Sequence, residues 1–207
     1  MSFLEMLCKD CVLTGAKASA RDDVLHQIAS LSRRNPVLSG ITEDKIFKAL
    51  KEREKIGSTG FGNGIAIPHC SFEELDEFVV GVLVAPDGVN FNALDGKPVK
   101  IFFFIIGPKS YRNKHVNILA AISRVAGAPS TVETIIGMKD NESLLEYLHK
   151  VFEHNEVDRK VKDQSLFQVI IQDSRLFDEV LQIFTSSVEG SVIVLDAENA
   201  GNYLHTM

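Results

Sequence analysis

The 207-residue chain has no basic block. It carries 22 Lys and Arg against 28 Asp and Glu, a formal net charge of -6. Nucleic-acid affinity comes largely from neutralising backbone phosphates, so a nucleic-acid partner is excluded at the outset. Long apolar runs are missing too. The longest, Phe78 to Ala85, is far short of the roughly 20 residues that cross a bilayer, and no membrane span is expected. Glu5, Lys9 and Asp10 interrupt the first apolar residues, so the charged-then-apolar plan of a signal peptide is absent and a cytoplasmic location follows as the default. Cysteine is scarce and odd in number. Cys8, Cys11 and Cys70 need not pair in a reducing compartment. Cys8 and Cys11 have C-x-x-C spacing and Cys70 lies beside His69, but no second C-x-x-C or H-x-x-x-H accompanies them. A metal or redox site is therefore weakly supported, and neither metal nor cofactor is expected. Internal repeats and low-complexity tracts are also lacking.

What remains is ordinary for a folded protein: 45% hydrophobic and 24% charged residues. The first 60 residues read as helical apart from a short apolar stretch at Cys11-Val12-Leu13. Ser19 is placed to cap a helix carrying Val24, Leu25, Ile28 and Leu31 at helical spacing, and Asn35-Pro36 stops it. Thr42 starts a second helix, in which Ile46, Ala49, Leu50 and Arg53 form one stripe. An arginine at the end of a buried stripe needs an anionic partner. Three strands are expected at 78–85, 89–93 and 99–106, separated by turns at Pro86-Asp87-Gly88 and Asp95-Gly96. The last is nearly all apolar and should be central. Helices follow at Tyr111 to Val125, Ser130 to Ile136 and Asn141 to Phe152.

This order gives an α/β (α+β) domain over residues 1–153, with a mixed central sheet of about four to five strands flanked by helices. The polar segment 154–165 reads as a linker. Residues 166–207 read as a small C-terminal βαβ-like unit, at the edge of what folds alone. That ending leaves two readings open, a truncated piece or half of a module completed by a homodimer.

Chemistry concentrates around His69. Pro68 fixes its own φ and pushes Ile67 toward an extended conformation, so the imidazole is presented from a stiff support. Taken singly, His69 reads as a structural histidine and Arg53 as one half of a salt bridge to Glu54 or Glu73. The loop Ser58-Thr59-Gly60-Phe61-Gly62-Asn63-Gly64 offers amides and hydroxyls that can line an anion site, or form a plain turn; without a P-loop lysine it is a poor nucleotide site. His115 sits near a helix N-terminus, where the dipole disfavours imidazolium and favours a nearby phosphate.

Together these residues resemble a known pattern. The run from Arg53 through Gly57-Ser58-Thr59-Gly60-Phe61-Gly62-Asn63-Gly64 to Ile65-Ala66-Ile67-Pro68-His69 is similar to the signature of the fructose/mannitol-type enzyme IIA domains of the bacterial phosphotransferase system. The similarity continues at Asp95-Gly96-Lys97-Pro98-Val99 and at His115-Val116-Asn117-Ile118-Leu119, and so covers about residues 1 to 153. The uninterrupted glycine loop looks closest to the nitrogen-related, regulatory branch. The resemblance implies a phosphohistidine at His69, with His115 and Arg53 as active-site companions and Ser58, Thr59, Gly60, Gly62, Asn63 and Gly64 as phosphate-binding candidates. It also implies the phosphocarrier protein HPr as donor, and as onward partner either a sugar-specific IIB component or a regulatory kinase or channel protein. A metal-dependent hydrolase built on His69, His115 and Cys70 is a weaker rival, because no carboxylate joins them at ligand spacing.

Overall fold

The computed structural model of the chain describes residues 6–126 and 128–157, together with Leu176, Glu179, Val180 and Gln182. A six-stranded mixed sheet lies at its centre, in the order β1-β5-β6-β3-β2 with β4 also paired to β6. The strands are β1 (Leu7–Leu13), β2 (Gly60–Gly62), β3 (Ile65–Ala66), β4 (His69–Phe72), β5 (Val79–Val89) and β6 (Val99–Pro108). Among residues 6–157, five α-helices accompany them: α1 (Arg21–Ser32), α2 (Glu43–Ile56), α3 (Arg112–Ala126), α4 (Pro129–Gly137) and α5 (Asn141–Val157).

Side-chain alternation along β6 explains the layering. Ile101, Phe103 and Ile105 pack with the apolar faces of α3, α4 and α5, while Phe102, Phe104 and Ile106 pack with those of α1 and α2. All six are fully buried, which is why this strand reads as a continuous apolar run rather than an alternating one. Each such side chain contributes about 1.5–3 kcal/mol relative to exposure.

Several expectations shift. The N-terminal region is less helical than its sequence suggests, because β1 starts at Leu7 and runs parallel to β5. The charged pair Lys9-Asp10 hides that strand by lying in an irregular stretch of it. Pro86-Asp87-Gly88 is a bulge inside β5 rather than a turn, and 90–93 is not a strand; the β5–β6 register slips between Val84 and Val89. Gly88, at φ 76°, supplies the left-handed residue that both a turn and a bulge require. Ser19 does not cap α1. Asp23 reaches back instead, accepting from the amides of Ser19 and Ala20 at 2.9 and 3.0 Å and from Ser19 Oγ at 2.6 Å. Thr42 does cap α2, accepting from the Lys45 amide at 3.2 Å. Helix α5 runs to Val157, so the first four residues of the expected linker are helical. The rest of that linker and, apart from four residues, the 166–207 unit lie outside the described residues.

Candidate functional site

β3 and β4 are one strand broken by Pro68. Both flank β6 in parallel and keep the same offset, Ala66 beside Phe102 and His69 beside Ile105. Pro68 cannot donate to the ladder, but its carbonyl accepts from Ile105 at 3.1 Å, and the Ile67 amide turns away to Thr59 at 3.0 Å. His69 is thereby held at a fixed point of the sheet and is only 8% exposed.

Its protonation pattern follows from its partners. Nδ1 lies 2.8 Å from the Ile67 carbonyl oxygen, which can only accept, so Nδ1 carries the hydrogen. Nε2 then holds the lone pair and accepts from Arg53 Nε at 3.0 Å. Burial first, then the neighbouring His115 and Arg53, hold the His69 pKa well below the ordinary histidine range, so the ring is neutral at physiological pH. A second Arg53 nitrogen donates to the Gly57 carbonyl at 3.0 Å and fixes the guanidinium against the end of α2. From the first turn of α3, His115 meets the His69 ring edge-on, with centroids 4.9 Å apart. Three residues separated by up to 62 positions in sequence thus converge on one imidazole.

The glycine loop, which its composition left open as an anion site or a plain turn, directs several of its donors into the fold. Ser58 Oγ donates to the Phe91 carbonyl at 2.7 Å and accepts from the Gly60 amide at 3.1 Å. The Thr59 amide and hydroxyl both donate to Glu54. The Asn63 amide donates to Asp95 at 3.0 Å. These donors are spent inside the fold rather than presented to His69. Gly62 and Gly64, at φ 104° and 78°, form with Asn63 the tight connection between β2 and β3. The Ser58 carbonyl accepts from Gln182 at 2.9 Å.

Glu54, expected only as a salt-bridge partner of Arg53, instead holds the Thr59 amide and hydroxyl, a role the sequence did not suggest. The buried stripe of α2 is Ile46, Leu50 and Glu54, at a strict spacing of four, with Arg53 half-buried on its margin. That spacing was the available signal. Burial raises the Glu54 pKa, opposed by the two Thr59 hydrogen bonds and by the charges of Arg21 and Arg53. Glu73 pairs with Lys109 at 3.1 Å. Among the described residues, no group of three His, Cys, Asp or Glu side chains is arranged to hold a metal ion, and no helix is long and apolar enough to cross a membrane.

The family described as "Phosphoenolpyruvate-dependent sugar phosphotransferase system, EIIA 2" matches residues 5–151. A nitrogen regulatory protein of Pseudomonas aeruginosa is 40% identical over 111 residues, covering 54% of this chain and 71% of that protein. The mannitol-specific phosphotransferase enzyme IIA component of Geobacillus stearothermophilus is 31% identical over 152 residues, covering 72% of this chain and 98% of that protein. Among solved structures, nitrogen regulatory protein IIA-Ntr of Neisseria meningitidis superposes with a TM-score of 0.61 at 26% identity, covering 70% of this chain and 97% of that one.

Proposed function

Because the chain belongs to the EIIA type 2 family of the phosphoenolpyruvate-dependent sugar phosphotransferase system, we propose that His69 is its phosphoryl acceptor and that Nε2 is the accepting atom. The observation that carries this reading is the division of roles on one ring: Nδ1–H is tied to the Ile67 carbonyl, leaving Nε2 as the lone-pair nitrogen beside a guanidinium. Neutral Nε2 attacks the phosphorus of a phosphohistidine on HPr. The donor's P–N bond breaks as the new one forms, and the departing imidazole keeps the old bonding pair. As Nε2 becomes quaternised, the Ile67 carbonyl stabilises the positive charge spreading to Nδ1–H. Arg53 gives up Nε2 and pairs with the phosphoryl oxygens, and His115 flanks the same space.

The surroundings suit a protein donor. Ile56, Leu94 and Tyr111 are 59%, 65% and 52% exposed. Ile56 directly precedes Gly57, the Leu94 amide donates to Gly60, and the Tyr111 carbonyl accepts from the His115 amide. Large apolar side chains kept in water around a buried nucleophile favour macromolecular docking over a small substrate.

Incubation with phosphorylated HPr should move label to the wild-type chain and not to His69→Ala. Absence of transfer to folded wild type would overturn the reading. The onward acceptor divides two roles. The 40% identical nitrogen regulatory relative favours a regulatory reading, in which the phosphorylation state of His69 sets binding to a kinase or channel protein. Pull-downs with phosphorylated and unphosphorylated protein decide it: capture of a IIB component supports sugar transport, and phosphorylation-dependent capture of a kinase or channel supports regulation.

A further inference from the structure

The C-x-x-C pair lies on β1, separated by β5 and β6 from β4, the strand that carries His69. In a regular strand, residues three apart point to opposite faces roughly 10 Å from one another. Here they do not. Between the pairs Leu7–Val80 and Val12–Val82, β1 advances five residues while β5 advances two. The surplus folds outward as a bulge, with Lys9 and Asp10 exposed, and Cys8 and Cys11 both pack against the cluster on the α1–α2 side of the sheet, while Leu7 and Val12 pack on the other.

The two sulfurs are unequal. Cys8 is partly exposed. Cys11 is fully buried, with Sγ 3.7 and 3.9 Å from the carbonyls of Leu31 and Ser32 at the end of α1. The neighbouring Cys11 side chain, opposed by burial and helped by Asn35 and the backbone amides of Asp10 and Cys11, brings the Cys8 thiol down to about 6. Cys8 is therefore largely thiolate at neutral pH. The same contact with Cys8, together with burial, pushes Cys11 up, so it stays a thiol. Cys70 is buried and pushed up by desolvation alone. Two sulfurs with no third ligand among the described residues fit a disulfide rather than a metal.

We propose that Cys8 and Cys11 form a reversible thiol–disulfide couple that hydrogen peroxide oxidises through attack at the exposed Cys8 sulfur. The Cys8 thiolate attacks one peroxide oxygen. The S–O bond forms, the O–O bond breaks, and the leaving hydroxide takes a proton to become water. Cys11, giving up its proton, then attacks the Cys8 sulfur. The S–S bond forms, the S–O bond breaks and a second water leaves, so two thiols and one peroxide become a disulfide and two waters. A dithiol reductant reverses the reaction by exchange. Oxidation draws Cys11 Sγ away from the Leu31 and Ser32 carbonyls.

The test uses the full chain with stoichiometric hydrogen peroxide, quenching with N-ethylmaleimide, intact mass and peptide mapping. Wild type should lose two hydrogens, map to a Cys8–Cys11 peptide, keep Cys70 alkylatable after unfolding, and recover with dithiothreitol. Cys11→Ser and Cys11→Ala should stop at a sulfenic acid on Cys8 that dimedone traps, and Cys8→Ser should do neither. Failure of wild type to lose two hydrogens, a bridge to Cys70 or between chains, or a Cys8 oxide that accumulates with Cys11 present would each overturn the proposal. The wild-type arm decides even if a variant misfolds.

Discussion

Arg53 Nε donates to His69 Nε2 at 3.0 Å, so the guanidinium occupies the atom proposed to accept the phosphoryl group. The arginine has to exchange one acceptor for another during transfer, and its planar fork suits a lone-pair nitrogen first and phosphoryl oxygens afterwards. Arg53→Lys keeps the charge but loses the fork. Phosphoryl transfer from HPr should slow about 10–100-fold in this variant, with thermal unfolding little changed. Rapid-quench labelling alongside a melting curve checks it; an unchanged rate would mean that Arg53 only braces the Gly57 carbonyl.

Acceptance by His69 should be insensitive to mild acid. Its pKa is lowered well below 6.5, by burial first, so Nε2 remains unprotonated as pH falls through the range where a free histidine would titrate. Transfer rates measured from pH 8 down past 6.5 should stay flat on the IIA side, provided each point is corrected for the donor's own profile. The linkage has the matching sign. The unfolded chain binds the proton first, so this residue's contribution to stability is complete above the unfolded pKa and declines as pH drops below it, with a limiting slope of about 1.4 kcal/mol per pH unit. His69→Phe should flatten that part of a urea-midpoint series against pH.

The meeting of His69, Arg53 and His115 was legible because each carries a strong local signal: a proline beside the histidine, a helical stripe, a helix start. The loop left an anion site and a plain turn open for a physical reason. Glycine and hydroxyl residues look the same in sequence whether their donors point at an anion or into the fold, and only the position of Glu54 and Phe91 tells that Ser58 and Thr59 are taken. β1 was hidden because a bulge puts Lys9 and Asp10 where a strand pattern demands alternation. The bulge in β5 was read as a turn because both use the same Pro-Asp-Gly chemistry.

Glu54 should behave as a positioning residue. Removing its carboxylate leaves the Thr59 amide and hydroxyl buried without an acceptor, at about 1–3 kcal/mol for each group left unsatisfied. Glu54→Ala should lower stability by about that much and slow phosphorylation of His69, because the Ile67 amide is anchored on the Thr59 carbonyl. Glu54→Gln retains an acceptor oxygen and should recover most of both losses. Equal damage from the two variants in urea denaturation would show that the charge beside Arg21 and Arg53, rather than the hydrogen bonds, is what matters.

Gly81 links the core to the thiol pair. A methyl group there would meet the Phe104 ring and the Cys11 carbonyl oxygen, and a backbone carbonyl cannot rotate away as a side chain can. Gly81→Ala should therefore cost about 1–3 kcal/mol or more, whereas Gly137→Ala, with open space around the added carbon, should be neutral or mildly stabilising. The glycine is the single β5 residue between Val80 and Val82, the partners of Leu7 and Val12. Any relief of the clash pushes the Cys11 end of the bulge outward and away from Cys8. Under mild peroxide, a folded Gly81→Ala chain should form less Cys8–Cys11 disulfide than wild type, read by peptide mapping. A full disulfide yield would show that the thiols meet without support from the strand beneath them.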